Sequence, residues 1–293
     1  MKVLPSVLVI GGTTFDQIVY LNDLPNGTPV TIHQCRFQEN TGSTGTGKSV
    51  ALHQLGVPVH LIGACGDDVW GGQIRNYLRK TGVSFDLFTD PAGTERHINM
   101  MDTNGKRISI FITNSSQSIT LPENYLETQL AAYDIIVLNI ISYCRSWAGQ
   151  IAECNKPVWT DLHDYDGSNS YHQPFIDAAN FIHLSSDNLT DYRSLMQRLI
   201  DDRKSLVVCT HAEKGATLLS VEDGWIDMPA VSVPVVDTNG AGDNFFAGFM
   251  YGWLQREPLI RCMNFGKVAA SLCVQSPDIV SHQLNKFNIS AVV

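Results

Sequence analysis

Seven consecutive residues, Asp237-Thr238-Asn239-Gly240-Ala241-Gly242-Asp243, set two acids around a glycine-rich turn. The segment behind them carries Phe245, Phe246, Phe249, Met250, Trp253 and Leu254 on one helical stripe, which predicts a buried helix. A helix N-terminus leaves backbone N–H groups without intrahelical partners, and its dipole favours negative charge. The amides of Gly240, Ala241 and Gly242 are thus placed to hold charge developing on a transferring phosphoryl group. Asp243 lies in the same turn, where a carboxylate can take the proton of a hydroxyl nucleophile. Gly248 and Gly252 weaken the following helix, so close packing against it is expected.

A second glycine-rich stretch, Gly42-Ser43-Thr44-Gly45-Thr46-Gly47-Lys48-Ser49, also matches the phosphate-loop pattern G-x-x-x-x-G-K-S. In that reading Lys48 would bind nucleotide phosphates and Ser49 a magnesium ion. The context argues against it. A phosphate loop follows a buried strand, whereas Arg36 to Thr41 is polar, and the helix after Ser49 must end near Gly56 and Pro58. Ile135 to Leu138 leads to Asn139 rather than to a magnesium-binding acid.

Short apolar runs with little alternation stand at Val7–Ile10, Ile135–Ile140, Val158–Thr160, Phe181–Leu184 and Leu206–Cys209. Such runs suit parallel strands covered on both faces. Between them, Lys48–Leu55, Gly72–Lys80, Ser146–Cys154 and Asp191–Asp202 have helical spacing. The alternation predicts an α/β fold: a three-layer, doubly wound, mostly parallel sheet in one domain over residues 1–293. Two regions break the pattern. Residues 17–39 contain the turn signal Leu24-Pro25-Asn26-Gly27, and His97–Met101 and Arg107–Ile112 flank the hairpin signal at Asn104-Gly105. They are expected to pair into a small sheet outside the main one. Asp161 ends a predicted strand, where open sheets face ligand crevices, so it is a further candidate to face substrate or phosphate.

The chain has 293 residues, an apolar fraction of 44% and a formal net charge of −9. The negative balance argues against nucleic-acid binding through a broad basic surface. The N-terminal apolar run is too short to span a membrane and lacks the build of a signal peptide. Seven scattered cysteines without a C-x-x-C pair suit reduced thiols and a cytoplasmic setting.

The heptad at 237–243 resembles the D-T-x-G-A-G-D signature of ribokinase-like (PfkB) carbohydrate kinases, and the resemblance extends through most of the chain. Gly11-Gly12-Thr13-Thr14-Phe15-Asp16 is similar to the family's first strand and turn, so Asp16 would bind substrate hydroxyls, with Thr14 where many sugar kinases have Asn. Gly42 to Gly56 resembles the G-G-x-G-x-N helix start, with Ser43 for a Gly and Lys48 for the Asn that touches sugar hydroxyls. A lysine there points to an acidic or electron-rich group on the substrate. Leu61 to Gly71 resembles the family's G-x-x-G-x-D-x-x-G segment. Thr210 and Gly215 fit the T-x-G-x-x-G nucleotide loop, with Ala212 for a Gly. The usual N-x-x-E is absent, and Ser185, Asp187 and Asn188 stand in its region.

The resemblance implies phosphorylation of a small-molecule hydroxyl by ATP with Mg²⁺, Asp243 acting as base and Gly240 to Gly242 as anion hole. Asn188, Thr210, Gly215 and Lys267 would contact the nucleotide. Asp237 and Asn239 would lie by a monovalent-cation loop, K⁺ in the family, completed from about Gln275 to Ser281. Residues of about 15–40 and 94–113 would form a lid carrying Asn99 toward the substrate, with Met101, Arg107 and Phe111 as further specificity candidates. Lid strands pairing between subunits would make a homodimer. A nucleoside kinase of the same fold, and a catalytically silent binding protein on the same scaffold, are the alternatives.

Overall fold

The computed structural model describes residues 4–103 and 107–291. Strand β1 (Val7–Ile10) is buried at every position, and its side chains feed two cores. Val7 and Val9 join one apolar cluster, while Leu8 and Ile10 join another on the opposite face. This explains the lack of alternation: both faces of the strand are covered.

The chain continues through β2 (Thr14–Tyr20), β3 (Arg36–Gly42), α1 (Thr44–Gln54), β4 (Val59–Cys65), α2 (Val69–Thr81) and β5 (Ser84–Thr89). Next come β6 (Arg96–Met101), β7 (Arg107–Thr113), α3 (Tyr125–Ala132), β8 (Ile135–Asn139), α4 (Ala148–Ala152) and β9 (Val158–Asp161). The rest is α5 (Gln173–Ala178), β10 (Phe181–Ser185), α6 (Tyr192–Asp201), β11 (Leu206–Thr210), β12 (Ala216–Ser220), β13 (Gly224–Met228), α7 (Ala241–Leu254), α8 (Leu259–Val274) and α9 (Lys286–Ala291).

Nine strands form the main sheet in the order β13-β12-β11-β10-β9-β8-β1-β4-β5. All neighbours from β5 to β11 run parallel, and β12 and β13 add antiparallel at one edge. Helices α1, α2, α7 and α8 cover one face, and α3 to α6 the other. The chain leaves β1 for β4 on one side and returns to β8 on the other. A crevice therefore opens at the strand ends between β1 and β8.

The expected second sheet exists, in the order β3-β2-β6-β7. The turn read at Asn104-Gly105 lies outside the described residues. Strand β3 belongs to this outer sheet and not to the core, so the strand context of a phosphate loop is missing before α1. The expected helix at 146–154 is broken into a 3₁₀ stretch, Ser142–Trp147, and the short α4. The glycines of α7 match the packing expectation. A Cβ on Gly248 would stand 2.5 Å from the Phe265 carbonyl, and one on Gly252 2.7 Å from the Phe265 ring. Helix α8 lies against α7 because those side chains are missing.

Candidate active site

Helix α7 begins as the heptad predicts. Gly240 caps it at φ 78°, ψ −3°, the left-handed region that glycine enters without strain. A Cβ there would also sit 2.6 Å from the Ile279 carbonyl. The Ala241 amide donates back to Thr238 O at 3.3 Å. Gly242 and Asp243 supply the remaining first-turn amides, which have no partner within the helix. Asp243 lies in this turn with its side chain 13% exposed.

Beneath Asp243 lies the turn into α1. A Cβ on Gly47 would stand 2.8 Å from Asp243 Oδ2, and one on Gly42 would overlap Asp16 Oδ2. The two glycines thus let two carboxylates rest on one turn, Asp16 from the outer sheet and Asp243 from α7. Asp16 is held on its other side by neighbours in that sheet. The Thr14 hydroxyl donates to Asp16 Oδ1 at 2.9 Å, and His97 Nδ1 lies 3.3 Å from the same oxygen. His97 Nε2 meets Glu95 Oε1 at 2.9 Å. Burial disfavours the charged imidazole, yet its contacts with Asp16 and Glu95 outweigh that and raise its pKa to about 9. Thr14 is buried, and so is Asn99, whose Oδ1 accepts from the Ser109 hydroxyl at 2.7 Å.

Ser43 caps α1 at φ 75° and ψ 156°. Lys48, one turn on, is fully buried, so its head group does not reach solvent. Its Nζ lies 2.8 Å from Asp161 Oδ2 and 2.5 Å from Asp243 Oδ1. Burial works against the ammonium, but Asp161 and Asp243 hold it charged, above the ordinary lysine range. Asp161 ends β9 and also meets burial, which Lys48, His163 and His183 overcome; its carboxyl is held well below the usual range. The open cation expected from the sequence is therefore replaced by an ammonium shared between two acids.

The nucleotide-side candidates lie along the ends of β10 and β11. Thr210 ends β11, and its hydroxyl is 3.4 Å from Leu184 O. Gly215, at φ 108°, closes the loop through its carbonyl, which accepts from His211 N at 2.8 Å. Ala212 holds φ 49°, so the loop keeps a glycine-like conformation without the glycine. Asn188 donates to Asp164 O at 2.9 Å and to Asp164 Oδ2 at 3.1 Å, tying the former N-x-x-E region to the loop after β9. Asp187 is exposed beside it, and Lys267 is half-buried on α8.

Asp237 and Asn239 meet the outer sheet. The Tyr20 hydroxyl donates to Asp237 Oδ2 at 2.5 Å, and Arg107 donates to Asn239 Oδ1 at 3.0 Å. Gln38 and Asn40 both donate to the Pro277 carbonyl. The outer sheet is thus closed onto the heptad and onto the 275–281 loop. The end of α8, just before that loop, also meets the heptad, since Asp237 N donates to Val274 O and Cys273 Sγ to Asn239 O. Tyr20, His97, Glu95 and His183 were missed from the sequence. Alternation along β2 carried a signal for Tyr20, since Asp16, Ile18 and Tyr20 fall on one strand face.

A paired acid at a helix N-terminus, facing a second acid across a glycine turn under a closing sheet, is a site for phosphoryl transfer to a hydroxyl. The comparisons agree. The profile of the pfkB family of carbohydrate kinases matches residues 4–153 and 176–283, and the chain belongs to that family. It is 30% identical over 276 residues to acarbose 7(IV)-phosphotransferase of Actinoplanes sp., covering 92% of each chain. It is 25% identical over 289 residues to the ribokinase of Bacillus subtilis, covering 92% of this chain and 93% of that one. Among solved structures, a microbiome-derived acarbose kinase superposes with a TM-score of 0.85 at 23% identity, over 99% of both chains. The ribokinase of Arabidopsis thaliana, complexed with ribose and ATP, superposes at 0.77 and 20% identity, over 99% of this chain and 98% of that one. The protein is an ATP-dependent carbohydrate kinase, a phosphotransferase with an alcohol acceptor on a sugar or sugar derivative.

Proposed function

We propose that this kinase phosphorylates a hydroxyl of an acarbose-like oligosaccharide, held between Asp16 and Asp243. The observation that carries the reading is the turn at Gly42 to Gly47, with one carboxylate resting at each end. A sugar hydroxyl bound by Asp16 and Asn99 lies within reach of Asp243. Asp243 takes its proton as the oxygen forms a bond to the γ-phosphorus. The bond from that phosphorus to the bridging oxygen breaks, and its electrons leave with ADP. The first-turn amides of α7 hold the charge that builds on the phosphoryl oxygens. Closure of the outer sheet, the lid, excludes the water that would compete as acceptor.

Two observations favour an extended acceptor over ribose or a nucleoside. The acarbose phosphotransferase relative matches at 30% identity, against 24% for a nucleoside kinase of Methanothermobacter thermautotrophicus. Phe111 is 55% exposed on the lid face that carries His97, with the two rings 3.9 Å apart. An exposed aromatic face there can stack a second sugar ring.

Mg²⁺ suits the phosphate side. It keeps several waters and needs only one or two carboxylates beside the phosphates, and Asp164 and Asp187 flank Asn188. When bound it neutralises phosphate charge. For K⁺ the donors are of the right kind, since Asp237 and Asn239 offer oxygens beside the end of α8, from which the 275–281 loop departs. A cytoplasmic setting accords with ATP as donor and with seven free cysteines. No described helix is long and apolar enough to cross a membrane.

The lid's outer face would join two copies. Strand register aligns Phe37, Val19, Met100 and Ile108 in one row across the four strands. Phe37 is 56% exposed, and Ile110 and Ile112 on the same face are 42% and 47% exposed. Outer strands β3 and β7 also leave open edges.

The test is ADP release from ATP and Mg²⁺ with acarbose, ribose, fructose and inosine as acceptors. Acarbose is expected to give the highest kcat/KM, and Asp243→Asn to lower kcat by roughly 10²- to 10⁴-fold. Full activity in Asp243→Asn would remove the base assignment. A higher kcat/KM for ribose or inosine would remove the extended acceptor.

A further inference from the structure

We propose that Lys48 is a positioning residue for phosphoryl transfer, a buried cation that ties the Asp243 carboxylate to Asp161. The inference rests on Asp243 being the base. Its evidence is the chain of contacts below the reacting turn. Lys48 Nζ reaches Asp161 Oδ2 at 2.8 Å and Asp243 Oδ1 at 2.5 Å, with side-chain exposures of 0% for Lys48, 5% for Asp161 and 13% for Asp243. Phe246 packs its ring 5.0 Å from the same Nζ, and His183 Nδ1 lies 3.4 Å from Asp161 Oδ1. The His163 amide donates to Asp161 Oδ1 at 3.0 Å. Asp161 is therefore fixed to the end of β9, and Lys48 passes that anchorage on to α7.

Two consequences follow from the charges and the geometry. With Oδ1 engaged by Lys48, Oδ2 is the oxygen left for the acceptor hydroxyl, and it is the one that rests over Gly47. The lysine thus selects which oxygen works and where the proton must arrive. Second, two carboxylates share the reach of one ammonium. Without it they would face each other in a buried site, an arrangement that keeps a proton on one of them. A base holding a proton cannot accept another. An ammonium committed to two acids is also a poor receptor for an anionic group on the substrate. Lys48 therefore acts on the base and not on the sugar.

Lys48→Met alone strands Asp161 in the interior, where removing one partner of a buried pair is strongly destabilising. The informative variant is Lys48→Met/Asp161→Asn, which removes both charges at nearly constant volume and keeps an acceptor for the His163 amide. The experiment measures kcat, KM for ATP and KM for the acceptor, using the panel member that wild type turns over fastest. If wild type turns over none, slow ADP release to water gives the comparison of kcat and of KM for ATP. Urea unfolding is followed on every variant.

The double variant is expected to unfold near the wild-type midpoint, to lose about 100-fold in kcat through a misplaced base, and to keep both KM values within about twofold. Lys48→Arg, which preserves the charge, is expected to recover part of that loss, and Lys48→Met to unfold at lower urea than the double variant. A folded double variant with wild-type kcat overturns the inference. So does a loss confined to the acceptor KM, which would make Lys48 a substrate contact. Equal unfolding midpoints for wild type and Lys48→Met would overturn the buried pairing itself. Activity surviving in Asp243→Asn would instead overturn the base assignment of the preceding section.

Discussion

Ser43 occupies φ 75°, ψ 156°, a region that is close to glycine-only. The departure from the family's glycine, visible in the sequence, is thus a strained residue in the structure. Its Oγ fills the space that a Cβ on Gly12 would need, so Gly12 makes room for it. Strain of this kind persists where surrounding structure over-determines the conformation, and it gathers at functional sites. Ser43→Gly should stabilise the chain by about 1–3 kcal/mol, read as a higher urea midpoint. An unchanged midpoint would mean that Ser43 contacts offset the strain. Lys48 shows the reverse relation between sequence and structure. The substitution was legible, but its meaning was not, because both carboxylates that hold it lie more than a hundred residues away.

The lid works as an element because strand register sorts its side chains. On β2 and β6 the register sets Asp16 beside His97, Ile18 beside Asn99 and Tyr20 beside Met101, all on the inner face. His97 ties Asp16 to Glu95, and Glu95 Oε2 in turn accepts from Ser115 N at 3.1 Å. Of these groups His97 titrates within reach of ordinary buffers. The His97 pKa is raised to about 9 in the folded chain, above the unfolded value near 6.5. Its stabilising contribution is therefore complete below about pH 6.5 and is lost as pH rises through about 9. Melting temperature should fall between pH 6.5 and 9.5 more steeply in wild type than in His97→Gln. Parallel curves for the two proteins would show that the imidazole is not charged in the fold. The residues 97–101 and 107–112 were legible as strands. Which of their faces turns inward was not, because β2, 81 positions upstream of β6 by the Ile18–Asn99 pairing, sets it through parallel pairing.

At the scale of the whole molecule, the nine-stranded sheet presents Asn139, Asp161, Ser185 and Thr210 at successive strand ends, and the chain's switch across β1 opens the crevice they border. The lid closes over it and turns an apolar outer face to solvent. If that face joins two copies, light scattering should give twice the chain mass of 32.3 kDa. Ile108→Glu/Ile110→Glu should then return a monomer by placing buried charge at the contact. A wild-type monomer at high micromolar concentration would exclude the lid dimer.

The sequence by itself determined the strand and helix alternation, since unbroken apolar runs and helical stripes are local patterns that burial on both faces imposes. It also carried the reaction, because the glycine turn, the helix start and Asp243 lie within seven neighbouring residues. Only the tertiary structure decided that Lys48 lies between the carboxylates of Asp161 and Asp243, that Asp16 and Asp243 share one turn, and that Tyr20 and Arg107 close the lid onto the heptad. Those contacts join residues distant along the chain, and their distances are set by how the sheets and helices pack rather than by any pattern within a single segment.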